Sequence, residues 1–136
     1  PVDVFATTAS AAAASGAGNE TVITMLVSNF DTPKLIKEVF TVSVALCGLP
    51  ASYAKPGAAA PATTITRIDK NNANAHTAWI KMGKPKELTA DQKQKLMQVS
   101  ALVTHPMQLH PGSEAGSYTA LLTVPYEGVA MVEVRL

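Results

Sequence analysis

The chain has 136 residues, enough for one domain with its own hydrophobic core. Hydrophobic residues make up 47% and charged residues 15%, which excludes a disordered tail. The net charge of +1, with no basic block, gives nucleic acid no electrostatic footprint, and no apolar run nears the ~18 residues of a membrane span.

Taken in chain order, the pattern is dominated by a period of two, the signature of half-buried strands. Val2 to Thr8 opens the chain as a strand, and Ser10 to Gly18, low-complexity Ala, Ser and Gly, reads as a loop. Thr21 to Asn29 is apolar on both faces through Val22, Ile23, Met25, Leu26 and Val27, as a central covered strand would be. Phe30-Asp31-Thr32-Pro33 ends it with turn chemistry. In Val39 to Cys47, Phe40, Val42, Val44 and Leu46 share one face, and Thr41, Ser43, Ala45 and Cys47 the other. Gly48-Leu49-Pro50 breaks that strand, and Lys55 to Pro61, with two prolines, is a loop before the strand Ala62 to Ile68.

The rhythm then changes. Asn72 is positioned to cap a helix over about Ala73 to Met82, and Gly83 stops it. Thr89 opens a second helix, with Gln92 three residues on to complete a capping box, and this helix runs to about Ser100. Leu96, Val99 and Ser100 group on one side of it, and Asp91 and Lys95 form an i,i+4 pair on the wet side. Strands resume at Thr104 to His110, Tyr118 to Val124 and Ala130 to Leu136, separated by His110-Pro111-Gly112-Ser113 and Pro125-Tyr126-Glu127-Gly128. The fold class expected is all-β: a single antiparallel β-sandwich over residues 1–136 with a helix-loop-helix inserted at about 72–101.

One stretch has a wider resemblance. The run Thr64-Ile-Thr-Arg-Ile-Asp-Lys-Asn-Asn-Ala-Asn-Ala-His-Thr-Ala-Trp79, followed by Met82-Gly83-Lys84-Pro85 and Leu88-Thr89, resembles the C-terminal region of family 39 glycoside hydrolases, the β-xylosidases and α-L-iduronidases. In that family a strand ending in an Arg-x-Asp-like element leads through an Asn-rich turn to a tryptophan helix, a Gly-x-Pro turn and a helix starting near Thr. Leu26 to Asp31 and Tyr126 to Leu136 are similar to two further strands of the same region, so the resemblance spans about residues 20 to 136. It implies an accessory sandwich that packs against and supports a catalytic (β/α)8 barrel. The family's catalytic glutamates sit on that barrel, and 136 residues cannot build one. Asn19-Glu20 here is followed by Thr21, where the family's acid/base motif is Asn-Glu-Pro-like. The remaining carboxylates, Glu38, Glu87, Glu114, Glu127 and Glu133, are scattered, and nothing in their spacing specifies the close pair that glycoside hydrolysis needs. The chain is therefore expected to be non-catalytic and to carry no cofactor.

The individual candidate residues read as follows. Trp79, the sole tryptophan, is expected to anchor its helix to the core, with sugar stacking alongside Tyr53 and Tyr118 as the alternative. Arg67 and Asp69 are expected to form a structural salt bridge or turn clamp, with anion or sugar binding as the alternative; Asn71, Asn72 and Asn74 are expected to cap and turn. His105, His110 and Glu114 do not converge at metal-ligand spacing, and His76 reads as a surface or half-buried residue. No Gly-x-Ser-x-Gly element points to a catalytic serine. Cys47 is the only cysteine, so no internal disulfide forms; a buried, inert thiol is expected, although its register places it opposite the main apolar face. Asn19-Glu20-Thr21 is an N-glycosylation sequon and suits a secreted protein. The chain begins at Pro1, which reads as a piece of a longer precursor.

Two functional readings stay open at this point. One is the accessory sandwich of a glycoside hydrolase. The other is an autonomous secreted binding module that recognises glycans or a cell-surface receptor. Low net charge and a strand apolar on both faces further imply association, either with a barrel domain or as a homodimer.

Overall fold

The structure of the protein is a computed structural model that describes residues 2–11, 20–29 and 39–136. It is an antiparallel β-sandwich with an inserted helical segment. The first sheet has the strand order β1 (Val2–Ala11), β2 (Glu20–Asn29), β8 (Gly128–Arg135), β4 (Ala62–Ile68), β5 (Thr104–Pro106). The second has the order β3 (Phe40–Leu46), β7 (Tyr118–Val124), β6 (His110–Pro111). Between β4 and β5 lie α1 (Ala75–Lys81) and α2 (Ala90–Val99).

The core forms where the alternating rows of the two sheets face each other. From the first sheet come Met25, Val27, Ile65, Ala130, Val132 and Val134; from the second, Leu46, Tyr118, Leu122 and Val124. The register explains the selection. Cα pairing sets Val27 beside Ala130, Met25 beside Val132 and Ile65 beside Val132, so the apolar rows cross the sheet on one face. In β3 the alternation read from sequence gives Phe40, Val42 and Val44 half-buried and Leu46 buried, with Thr41, Ser43 and Ala45 exposed.

β7 and β8 are consecutive strands in different sheets, and the turn between them is tight. Gly128 donates its N–H to the Pro125 carbonyl at 3.0 Å. A Cβ on Gly128 would stand 2.7 Å from that oxygen, so the turn admits only glycine there. Glu127 takes a positive φ of 56° and donates its N–H to the Asn29 carbonyl at 3.0 Å. The Asn29 side chain, 1% exposed, in turn donates Nδ2 to the Val124 carbonyl at 3.1 Å. A residue of the first sheet thereby holds the last residue of a strand in the second.

Several expectations change in detail. The first strand continues to Ala11, into the stretch expected to be loop, because its ladder with β2 runs from Val2–Asn29 to Ala11–Glu20. Residues 12–19 and 30–38, with the rest of that loop, Asn19 of the sequon and the Phe30–Pro33 turn, lie outside the described residues. β2 is central, as expected, but only one of its faces meets the other sheet, and Leu26 on the opposite face stays 41% exposed. Thr104 to His110 is two strands and not one. The chain leaves the first sheet after Pro106 and joins the second at His110, with half-buried Met107 and Leu109 packing against the core on the way. Cys47 is exposed, contrary to the buried thiol expected, because it follows Leu46 on the outward side of the pleat.

The corner carries a prediction. Replacing Asn29 by Ala leaves the Val124 carbonyl without its buried donor, and such a loss costs about 2 kcal/mol. Urea unfolding of Asn29→Ala is expected to show that decrease with an unchanged m-value; stability within ~0.5 kcal/mol of the parent would mean that the amide does not close the corner.

Candidate functional site

At the end of β4 the chain turns sharply into the helical segment, and Asp69, 5% exposed, organises the turn. Its Oδ1 accepts from the backbone N–H of Asn71 at 2.7 Å and of Asn72 at 3.0 Å. The Asn72 side-chain amide donates to both carboxylate oxygens, at 2.9 and 2.8 Å. The Asp69 carbonyl accepts from Asn74 Nδ2 at 3.0 Å. With Asn72 held this way, Ala73 is left in the left-handed region at φ 50°. The cap of α1 therefore moves from Asn72, where sequence placed it, to Asn74, whose side chain accepts from Thr77 N–H at 2.9 Å. The helix starts at Ala75 and not at Ala73.

α1 ends in a loop closed by its tryptophan. Trp79 is half-buried and donates Nε1 to the Pro85 carbonyl at 3.1 Å, while Lys84 N–H bonds the Trp79 carbonyl at 3.1 Å. The ring stacks on His76, with centroids 5.8 Å apart and planes 26° apart. Trp79 thus packs within the helical segment and is not among the side chains of the sandwich core. α2 begins with the capping box: Thr89 accepts from Gln92 N–H at 3.3 Å, and Gln92 Oε1 accepts from Thr89 N–H at 2.9 Å.

The three aromatic candidates are not assembled. Tyr118 is buried in the core and donates its hydroxyl to the Tyr53 carbonyl at 3.2 Å. Tyr53 and Tyr118 border a cleft of about 270 Å³ between loops 54–58 and 111–117, which Trp79 does not line. His105 lies on the first sheet and His110 on the second, and the described residues hold no group of three metal-ligating side chains. The described glutamates sit on separate elements: Glu20 at the start of β2, Glu87 between the helices, Glu114 between β6 and β7, Glu127 in the β7–β8 turn and Glu133 on β8. No helix of the described residues is long and apolar enough to cross a membrane.

Arg67 is placed differently from the ion pair expected. Cα pairing sets it beside Ala130, and it borders a cleft of about 490 Å³ with Ile65, Asn72, Gln98 and His105. Its Nε is buried and meets no hydrogen-bond partner among the described residues, while the Asp69 carboxylate is occupied by Asn71 and Asn72. A second concavity of about 300 Å³ adjoins, sharing Asn71 and Val99, and is lined by Lys70, Lys81 and Lys95. This gathering was missed from sequence. Its signal is a local charge imbalance: residues 67–95 carry seven basic and three acidic side chains, a net +4, and the other four basic and seven acidic residues leave the rest at −3.

The chain matches the family model of glycosyl hydrolases family 39 over residues 1–113. It belongs to that family. Solved structures of family members share the fold. A GH39 β-xylosidase from Caulobacter crescentus is similar with a TM-score of 0.54 at 16% identity, over 93% of this chain and 22% of that chain. The GH39 enzyme from Xanthomonas axonopodis pv. citri is similar with a TM-score of 0.51 at 13% identity, over 93% of this chain and 25% of that chain. The present family 39 chain thus spans about a quarter of the length of these two enzymes. No curated protein sequence matches it.

The Asp69 clamp is open to test. Asp69→Ala removes a buried acceptor from three N–H donors, at a cost of about 3 kcal/mol for charge-assisted bonds. Thermal unfolding followed in the far ultraviolet is expected to show α1 lost before the sheets; a single unshifted transition would contradict the clamp.

Proposed function

We propose that this chain is the accessory β-sandwich of a family 39 glycosyl hydrolase, packing against and supporting a catalytic barrel that lies outside these 136 residues. The observation that carries the proposal is the state of the helical segment. No residue of α2 is buried, and Met97, Leu102 and Val103 are 74%, 60% and 56% exposed in one run of chain. Val99 and Ile80 add to the same segment. Large apolar side chains left exposed together along one run of chain are the kind of surface that an interface covers. The share of the matched enzymes that the chain covers, about a quarter, leaves room for a barrel in the parent protein. The similar Caulobacter crescentus enzyme is a β-xylosidase, so xylosides are the substrate class proposed for the whole protein.

The chain itself is proposed to be non-catalytic. Retaining and inverting glycosidases both hold two carboxylates across one sugar-binding cleft. Glu87, Glu114, Glu127 and Glu133 are distributed over a helix connection, two turns and a strand. With its barrel-facing surface open, the isolated chain is proposed to pair with a second copy.

The isolated chain is expected to hydrolyse neither aryl xylosides nor aryl iduronides, and to sediment as a dimer at micromolar concentration. Turnover that co-purifies with the chain and disappears on replacing one of its own glutamates would overturn the proposal. A monomer at every concentration would show that the apolar run needs no cover.

A further inference from the structure

The helical segment separates charge from the rest of the domain, and it does so around a concavity. Lys70 follows the Asp69 turn, Lys81 closes α1 and Lys95 lies in the second half of α2; all three line the space between the helices. No carboxylate lines it. Asn71 borders both this space and the adjoining Arg67 cleft, which also has no carboxylate in its wall. The Asp69 carboxylate has its oxygens committed to Asn71 and Asn72, and Glu127 borders a neighbouring hollow that shares Lys70, Asn71, Asn74 and Thr77 with this one. Four cations thus border two connected hollows, and one of them, Arg67, keeps a buried Nε–H with no acceptor among the described residues.

Grouping like charges costs free energy unless an opposite charge answers them, and a buried donor costs more when it lacks an acceptor. We infer that this concavity is a binding site for a tetrahedral oxyanion, phosphate or sulfate, free or as an ester. Several ammonium groups at one hollow suit a group carrying more than one negative charge, spread over several acceptor oxygens. Lysine also suits it as a compact point charge that places no planar demand on the ligand. The site lies on the helices beside the apolar surface proposed to face the barrel, with Val99 in both, and it is tested on the chain alone.

The experiment is a titration of the 136-residue chain with inorganic phosphate and, separately, with sodium sulfate, at constant ionic strength maintained with chloride. Backbone amide shifts are followed by NMR. Saturable shifts are expected at residues 70–78 and 95–99, with chloride inert. A response to phosphate alone or to sulfate alone assigns the oxyanion; a response to both assigns the class. The double variant Lys81→Gln, Lys95→Gln is expected to weaken the midpoint at least about tenfold, the loss of a charge-assisted contact, with the amide pattern of the sheets unchanged. Both lysines are exposed, so the variant keeps its fold. Shifts no larger than those from chloride, shifts that rise linearly over the whole surface, or an unchanged midpoint in the variant would each overturn the site.

Discussion

The tightest connection between the two sheets is the corner from β7 to β8, and the buried amide of Asn29 closes it. β7 is the middle strand of its sheet, and β8 lies between β2 and β4 in the other, so the Pro125–Gly128 turn connects the centres of both layers. The Asn29 backbone carbonyl takes the Glu127 N–H and its side chain satisfies the Val124 carbonyl. Paired in this way, the buried Asn29 amide and the Val124 carbonyl each keep a partner; unpaired, each would carry the desolvation cost of a buried polar group. The rows Val27–Ala130 and Met25–Val132 follow from the register that this corner sets.

Beyond that core the domain is divided by chemistry. The sandwich supplies the buried apolar rows and a net negative remainder, while the helical segment supplies positive charge and exposed apolar side chains. The segment is built from local contacts: the Asp69 turn, the Asn74 cap, the Trp79–Pro85 bond and the Thr89 capping box all span six residues or fewer. Its shape is set by these contacts, with no residue of either helix buried. Its outward face is then free to serve a partner, with the lysine concavity on the same segment.

Much of the sandwich was legible because strands with one buried face write their burial into sequence. Tyr118, Ala120, Leu122 and Val124 alternate, and all four are buried. The capping box was legible for a similar reason, since the side chains of Thr89 and Gln92 each bond the other's backbone N–H three residues away. What escaped were choices that no residue pattern settles by itself. Asn72 and Asn74 are equal as caps in isolation, and only the buried Asp69 decides between them. Thr104 to His110 has no internal sign that it changes sheets. Leu26 resembles a covered residue, but nothing local states that only one face of β2 meets another layer. The lysine grouping was hidden by a balanced total, because the +4 of residues 67–95 is almost cancelled elsewhere.

The central claim is that the helical segment is an interface in a longer family 39 protein. Hydrogen–deuterium exchange measures it most directly, by comparing this chain alone with the full-length parent. The account predicts that amides 90–103 exchange markedly more slowly in the parent, while β7 and β8 are equally protected in both. Equal exchange of residues 90–103 in the two proteins would mean that no domain covers the helices, and would contradict it.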